Sequence, residues 1–542
     1  MKKISEVVII MITAFFLFGD STSNAPAMDK PDHNDKRGTL RFGIHVSEIG
    51  SLDPHFAAGS QDRAIADMLF NGLLRYQDGN APKIEPDLAE SIPEPRLVKG
   101  IQVWTFKLKK GVMFHPFNGN DPYELTADDV IFSFNKSANP KYSCYAGEYE
   151  EMIFEKADNY AVNIILKKPM SPILFLPKVT NYAGGFIVSK NAVESKGYEY
   201  FRKHPVGTGP FMFDSYEPKE KIFLIANDRY FKGKPELKGV EFHLLPVIKD
   251  REAALSEGRL DAITGSGEHE WIDKITKNKN VILDIFGVGE VMTIHMNVRK
   301  KPFDNILVRQ AIFYALDRNE FLKSTSDLLA EKVYSPIPVK FLPGGITEEE
   351  IRTLGLDYDF DVVKARKLMS QAGYPNGFTV TLISSEKRIY RENYEILKEQ
   401  LKKIRIDCNI EVVNHGEMQK RIRKGESPIV IYGAWRPNSD VFLTRFFHSD
   451  SIVVTGKTPD TNFSGYDKID KLVEAAREEI APDKQIQLWM QAQIKILSDA
   501  AAYPVFFTSQ CFVRSTDVDY GHPLKASMAL YPQITEKTRF LK

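Results

Sequence analysis

Between Asp304 and Val413 the apolar residues switch repeatedly between helical and extended periods, and no other feature limits the possible fold so tightly. Asp304 is a good N-cap for a helix whose Val308, Ala311, Ile312, Ala315 and Leu316 fall at i, i+3, i+4, i+7 and i+8. A second helix places Ala365, Leu368, Met369 and Ala372 on one face and stops at Gly373. Phe378 to Ile383 then reads as a strand, Tyr390 to Lys403 as a helix and Ile406 to Val413 as another strand. Strand, helix, strand in that order predicts a mixed or parallel sheet covered by helices. A last long helix over Asp483 to Ser498 is expected to bury Ile486, Met490, Ile494 and Leu497.

The first half carries one-sided strands. Leu40, Phe42 and Ile44 alternate with Arg41 and Gly43; Trp104, Phe106 and Leu108 alternate with Thr105 and Lys107; Val162, Ile164 and Leu166 repeat the pattern. With 542 residues the chain has material for two to four domains. Pro- and Gly-containing breaks such as Ile92–Pro95 and Phe341–Gly345 are short loops rather than linkers. A domain assembled from non-contiguous segments is therefore expected.

At the N-terminus Lys2 and Lys3 precede an apolar run from Val7 to Phe18 and the small-residue triplet Ala25-Pro26-Ala27. This is the layout of a cleaved secretory signal, too short to cross a bilayer. Residues 1–27 are expected to be removed, and residues 28–37 to form a flexible leader. No Cys follows the apolar run, so the expected product is periplasmic and not a lipoprotein. Its balance of 72 basic and 72 acidic residues lacks the excess that polyanion partners require, so nucleic acid is not an expected partner. Three cysteines, at 144, 408 and 511, offer neither a disulfide framework nor a thiolate metal site.

Signs of catalysis are sparse. No nucleophile elbow, phosphate-binding glycine loop or paired-histidine metal motif occurs. Gly265-Ser266-Gly267-Glu268-His269-Glu270 groups Ser, Glu and His, but triad members normally come from separate elements, and a polar loop is the simpler reading. Asp128 and Asp129 follow Thr126 where a helix begins and suit capping. The sequence thus predicts no catalytic residues, no metal ligands and no cofactor.

Several stretches arrive in one order: Ser51-Leu52-Asp53-Pro54-His55, Glu85–Ser91, Trp104–His115, Thr126–Phe134, Val206–Phe211, Asn227–Phe231, Glu257–Asp261 and Val308–Arg318. Together they resemble the extracytoplasmic solute-binding proteins of ABC importers, family 5, the peptide/nickel type. The resemblance implies an α/β, two-lobed periplasmic-binding-protein fold (Venus-flytrap, type II) with an additional α+β domain. Lobe I would combine 38–70, 187–292 and 505–542; the extra domain, 71–186, would be inserted in it; lobe II would be 293–504. The crossing strands would lie near 287–294 and 502–508. The implied function is capture of a small solute, an oligopeptide or peptide-like compound, between the lobes and its delivery to membrane-embedded ABC permease subunits by a monomer. The alternatives are a secreted hydrolase acting on peptides or sugars, and a periplasmic sensory or chaperone partner on the same scaffold.

In peptide-binding relatives an Asp three residues after a Gly-x-Trp-like strand end pairs with the peptide α-amino group. Here Tyr432-Gly433-Ala434-Trp435-Arg436-Pro437-Asn438-Ser439-Asp440 puts Asn438 at that position. A neutral Asn provides no charge-assisted bond, so a free ligand amino group is not expected to be strongly required. Asp440 is a substitute for which Arg436 would compete. The resemblance further implies that Trp435 walls the ligand beside Tyr432, that Arg436, Arg388 and Arg391 bind a carboxylate, and that Phe56, Gly59 and Tyr145 line the opposite side.

Overall fold

The computed structural model describes residues 38–117, 119 and 121–541. The expected signal peptide and leader lie outside the described residues. Two strands dominate the architecture: Val281–Met296 and Ala502–Ser515 run antiparallel from Val281 opposite Ser515 to His295 opposite Ala502. Their pairing is interrupted between Phe286 and Glu290. On one side of that gap Ala262–Thr264 pairs with Phe512–Arg514 and continues into Thr39–Ile44, Gly239–Leu244, Lys221–Ala226 and Phe211–Glu217. On the other side Ile429–Ala434 pairs with Val291–Met296, and Ala330–Lys332 pairs with Phe506–Thr508.

Two large hydrophobic cores follow from this division. One gathers Leu40, Phe42, Ile44, Phe70, Phe242, Phe512 and Tyr531. The other gathers Ile294, Met296, Ile312, Leu397, Leu401, Ile406, Ile431 and Phe506. A four-stranded antiparallel sheet, Arg96–Val98, Ile101–Lys107, Ala161–Leu166 and Met152–Asp158, adds Trp104, Phe106, Val162 and Ile164 to the first core. The alternating residues noted in its sequence are the buried ones.

At the gap in the long strand pair two glycines leave no room for a side chain. A Cβ on Gly289 would stand 1.5 Å from the Thr508 carbonyl oxygen, and one on Gly287 would stand 2.1 Å from the Phe341 ring. Only glycine fits either place. Gln510 Nε2 donates to the Val288 carbonyl at 3.1 Å, tying the irregular stretch to its neighbour.

Phe378–Ser385 and Ile406–Val413 form a parallel pair through the Arg388–Lys402 helix, the strand–helix–strand unit read from the sequence. Val362–Gln371 is a helix capped by Asp361, and Gly373 follows it at φ +88°. Two expectations need correction. The helix Ile306–Ala315 is capped by Asn305, whose side chain accepts from the Leu307 amide at 3.0 Å, rather than by Asp304. Asp304 belongs to the preceding turn, its amide donating to the Lys300 carbonyl. The Pro482–Ser498 helix buries Gln485, Trp489, Ala492, Gln493, Ile496 and Leu497, whereas Ile486, Met490 and Ile494 are only half-buried. Its buried face contains two glutamines because they satisfy backbone carbonyls: Gln485 Nε2 donates to Ala476 and Gln493 Nε2 to Gly344.

Glu268 closes the 265–268 loop, and His269–Thr276 is a helix, so the Ser–Glu–His grouping is split between a loop and a helix start. Thr126 precedes the helix Ala127–Ser137, and its amide and hydroxyl both donate to Asp129, the capping role read for this acid.

Candidate functional site

The strand Ile429–Ala434 ends beside the gap in the long strand pair, Ala434 facing Val291 and Gly433 facing Met292. Trp435 and Arg436 leave that strand end half-buried. Trp435 packs edge-on to Phe442, with ring centroids 6.1 Å apart, and its indole nitrogen is buried without an acceptor. Arg436 donates to the Trp435 carbonyl at 2.9 Å and to Thr461 Oγ1 at 3.2 Å, and its guanidinium lies 4.8 Å from the Phe446 ring centroid. Among the described residues no carboxylate pairs with it, and burial depresses its pKa. Tyr432 packs on Phe463 at 5.0 Å, with its hydroxyl 3.5 Å from Arg423.

Around this strand end positive charge exceeds negative. Arg423 and Arg445 both act electrostatically on Arg436, and the nearby carboxylate, Asp460, is held by Arg445 at 2.9 Å. The opposite sign enters from the long strand. Glu290 stands where strand pairing resumes, and its Oε2 lies 3.3 Å from where a Cβ on Gly433 would be. Its side chain is open to solvent, yet the surrounding protein raises its pKa through desolvation, opposed by Arg436 and Lys387. Tyr390, on the first turn of the Arg388–Lys402 helix, has its pKa pushed up by burial and then by the Glu290 charge. Glu290 and Gly433 thus adjoin one another beside the two long strands, with Arg436, Lys387 and Tyr390 within electrostatic reach of Glu290.

The other residues singled out from the sequence have different duties. Asn438 Oδ1 accepts from the Val441 amide at 2.9 Å and caps the helix Ser439–Phe447. Asp440 is bound through both oxygens by Arg477 Nε, at 2.9 and 3.1 Å, so the expected competition with Arg436 does not arise. Arg388 bonds Glu392 at 2.7 Å and the Ser324 carbonyl at 3.2 Å, and approaches Glu268 at 4.0 Å. Arg391 is exposed and makes no ion pair among the described residues. Phe56, Gly59 and Tyr145 do cluster: the Tyr145 hydroxyl donates to the Ala57 carbonyl at 2.6 Å, the Gly59 amide donates to Asp62, and Arg202 stacks on Phe56 at 4.0 Å. Among the described residues no hydrogen bond, ion pair or ring contact joins that cluster to the Trp435 group.

A family model for bacterial extracellular solute-binding proteins, family 5 (middle), matches residues 83–452. The chain belongs to this family. Among curated relatives, heme-binding protein A of Haemophilus influenzae is 27% identical over 511 residues, covering 90% of each chain. The dipeptide-binding protein of Escherichia coli K12 is 28% identical, covering 86% of this chain and 88% of its own. Among solved structures, MoaA of A. tumefaciens R10 in complex with mannopinic acid is 34% identical with a TM-score of 0.76, covering 93% of this chain and all of that one. Periplasmic DppA of Helicobacter pylori in complex with the peptide STSA is 26% identical with a TM-score of 0.73, covering 93% and 98%.

This family 5 protein therefore has the two-lobed periplasmic-binding-protein fold, its two largest cores lying toward opposite ends of the long strand pair. The strand-end pattern singles out Tyr432, Trp435 and Arg436, which stand at or just past the end of Ile429–Ala434, and does not point to Glu290, Lys387 or Tyr390 nearby. The available signal was Gly287-Val288-Gly289-Glu290, an acid directly after two glycines within the expected crossing segment. Among the described residues no group of three or more His, Cys, Asp or Glu side chains is arranged to hold a metal, and no helix is long and apolar enough to cross a membrane.

Proposed function

We propose that this family 5 protein captures an oligopeptide or peptide-like solute between its lobes outside the cytoplasm and delivers it to ABC permease subunits. In this reading residues 1–27 direct export to the periplasm. Segments 38–70, 187–292 and 505–542 form one lobe carrying the inserted 71–186 domain, and 293–504 form the other. Ligand contacts to both lobes favour the closed form, which the permease distinguishes from the open one.

What supports this reading is the group of side chains at the end of Ile429–Ala434. It combines aromatic walls, a desolvated Arg436 without a carboxylate and an unpaired Glu290 beside the strands shared by both cores. Such a mixture of apolar surface and a few fixed polar groups is what small-molecule sites present. The peptide bound by the Helicobacter pylori protein and the mannopinic acid bound by MoaA are the first compounds to try.

The test is mass spectrometry of small molecules released from the purified protein, followed by calorimetry with STSA and with mannopinic acid. A solute released unchanged that raises the unfolding temperature supports capture, since a ligand at 100 times its Kd adds about 2.7 kcal/mol. Conversion of the added compound to hydrolysis products would overturn it.

A further inference from the structure

We propose that the cleft bordered by Arg318, Lys332 and Phe360 is a second ligand site, separate from the cargo site, and that it takes a small organic monocarboxylate with a flat apolar body. The cleft encloses about 300 Å³ and is lined by residues 316–319, 332, 334, 352, 359, 360 and 503. All of these fall within the segment 293–504 proposed as one lobe, and neither Trp435 nor Glu290 borders the cleft.

Arg318 is the built part of the site. It is only 5% exposed, and its guanidinium carbon stands 4.0 Å from the ring centroid of Tyr503 and 4.3 Å from that of Tyr334. Nε donates to the Pro504 and Val333 carbonyls at 3.0 and 3.2 Å, and Nη1 donates to the Asp357 carbonyl at 2.9 Å. Nη2 makes no hydrogen bond, and among the described residues no carboxylate pairs with this guanidinium. A buried cation without a counterion is costly, and one clamped between two rings by three carbonyls has already lost its side-chain freedom. Both conditions favour an anion arriving from the cleft, where a planar guanidinium donates well to a carboxylate.

The other charges of the cleft sort the same way. Lys332 ends the strand Ala330–Lys332, is exposed, and its side chain makes no ion pair or hydrogen bond among the described residues. The two lining carboxylates are engaged: Asp359 accepts from Arg352 Nη1 at 2.8 Å, and Asp317 Oδ1 accepts from the amide and the side chain of Asn319, both at 2.9 Å. Arg352 is shared with Asp357 at 2.8 Å and Glu348 at 2.9 Å, so it brings no free positive charge. Two open cations against two occupied acids suit a single carboxylate better than a phosphate dianion, which Asp317 and Asp359 would repel. Phe360 is 44% exposed where it borders the cleft and supplies an apolar wall for the body of the ligand.

The experiment titrates the full mature chain with 4-fluorobenzoate, 4-fluorobenzamide and 4-fluorobenzylamine and follows the fluorine NMR line widths. Wild type should bind the benzoate saturably with a Kd of about 1 mM or tighter, and the amide and the amine at least about fivefold more weakly. Lys332→Gln and Phe360→Ala should each weaken benzoate binding at least about fivefold; both side chains are exposed, so the two variants should unfold at the wild-type temperature. Trp435→Ala alters the cargo site and should leave the benzoate Kd within about twofold. Absence of saturation, binding of the amide or the amine as tight as that of the benzoate, or an unchanged Kd in K332Q or F360A would overturn the assignment. Loss of benzoate binding in W435A would overturn it as well, by moving the compound to the cargo site.

Discussion

Trp435, just past the end of Ile429–Ala434, and His295, on the strand beside it, illustrate opposite uses of an aromatic ring. Trp435 is half-buried at a strand end with one aromatic neighbour, so Trp435→Ala should weaken peptide binding at least tenfold while the unfolding temperature stays within a few degrees. Unchanged affinity by calorimetry would remove it from the site. His295 is fully enclosed against Phe446, Phe447 and Phe463; neither ring nitrogen finds a partner, and burial pushes its pKa down to about 3. The unfolded chain takes up this proton near pH 6.5 and the folded chain only near 3, so stability falls as pH drops through that window, by up to about 1.4 kcal/mol per unit. His295→Leu should flatten the slope of stability against pH between about 6 and 4, measured by urea unfolding at several pH values; an unaltered slope would show that other groups set it. At this scale the sequence was legible where a pattern is local. Tyr432, Trp435 and Arg436 follow from one strand end. The fate of Asp440 depends on Arg477, a partner 37 positions away that no local pattern announces.

Among elements, those with a strict period were the most readable. Ile406–Val413 has the bounds its alternation indicates, and the Arg388–Lys402 helix starts two residues earlier than expected. The Pro482–Ser498 helix was harder, because apolarity served as the guide to burial and two of its buried residues are glutamines. Gln485 accepts from Ser171 Oγ at 2.6 Å and Gln493 accepts from the Ile337 amide at 3.3 Å, so polar side chains occupy places where Leu would be assumed. The long strand pair holds the sharpest test at this scale. Gly289→Ala would drive a methyl group into the Thr508 carbonyl and should destabilise the fold by more than about 2 kcal/mol, whereas Gly267→Ala, whose nearest neighbour is 3.7 Å away, should cost less than about 1 kcal/mol. Chemical unfolding of the two variants side by side decides; equal losses would mean that the strands can separate at the gap without penalty.

Across the whole molecule the division into two lobes came from the ordered resemblance, while periodicity alone supported only an α/β class. Ser171 with Gln485, and Glu268 with Arg388 at 4.0 Å, are among the contacts that join distant parts of the chain, and in the proposed division each would cross between the lobes. Converting a mostly open population to a mostly closed one requires about 5.5 kcal/mol of differential binding, more than an exposed ion pair supplies, so the cargo must provide most of it. Small-angle scattering should accordingly show a smaller radius of gyration once a pool of tripeptides with free termini is added at saturation, and an unchanged radius would refute ligand-driven closure.

Glu290 occupies the place where the pairing of the two long strands resumes. In the closure proposed above the long strand pair would be the axle, and a point travels in proportion to its distance from the axle, so a group mounted there would hardly travel at all. A solute anchored there would keep its first contact throughout the swing, while the far lobe sweeps in over the remainder. Docking and closing then become successive events, and one end of the cargo could be inspected before the protein commits to the other.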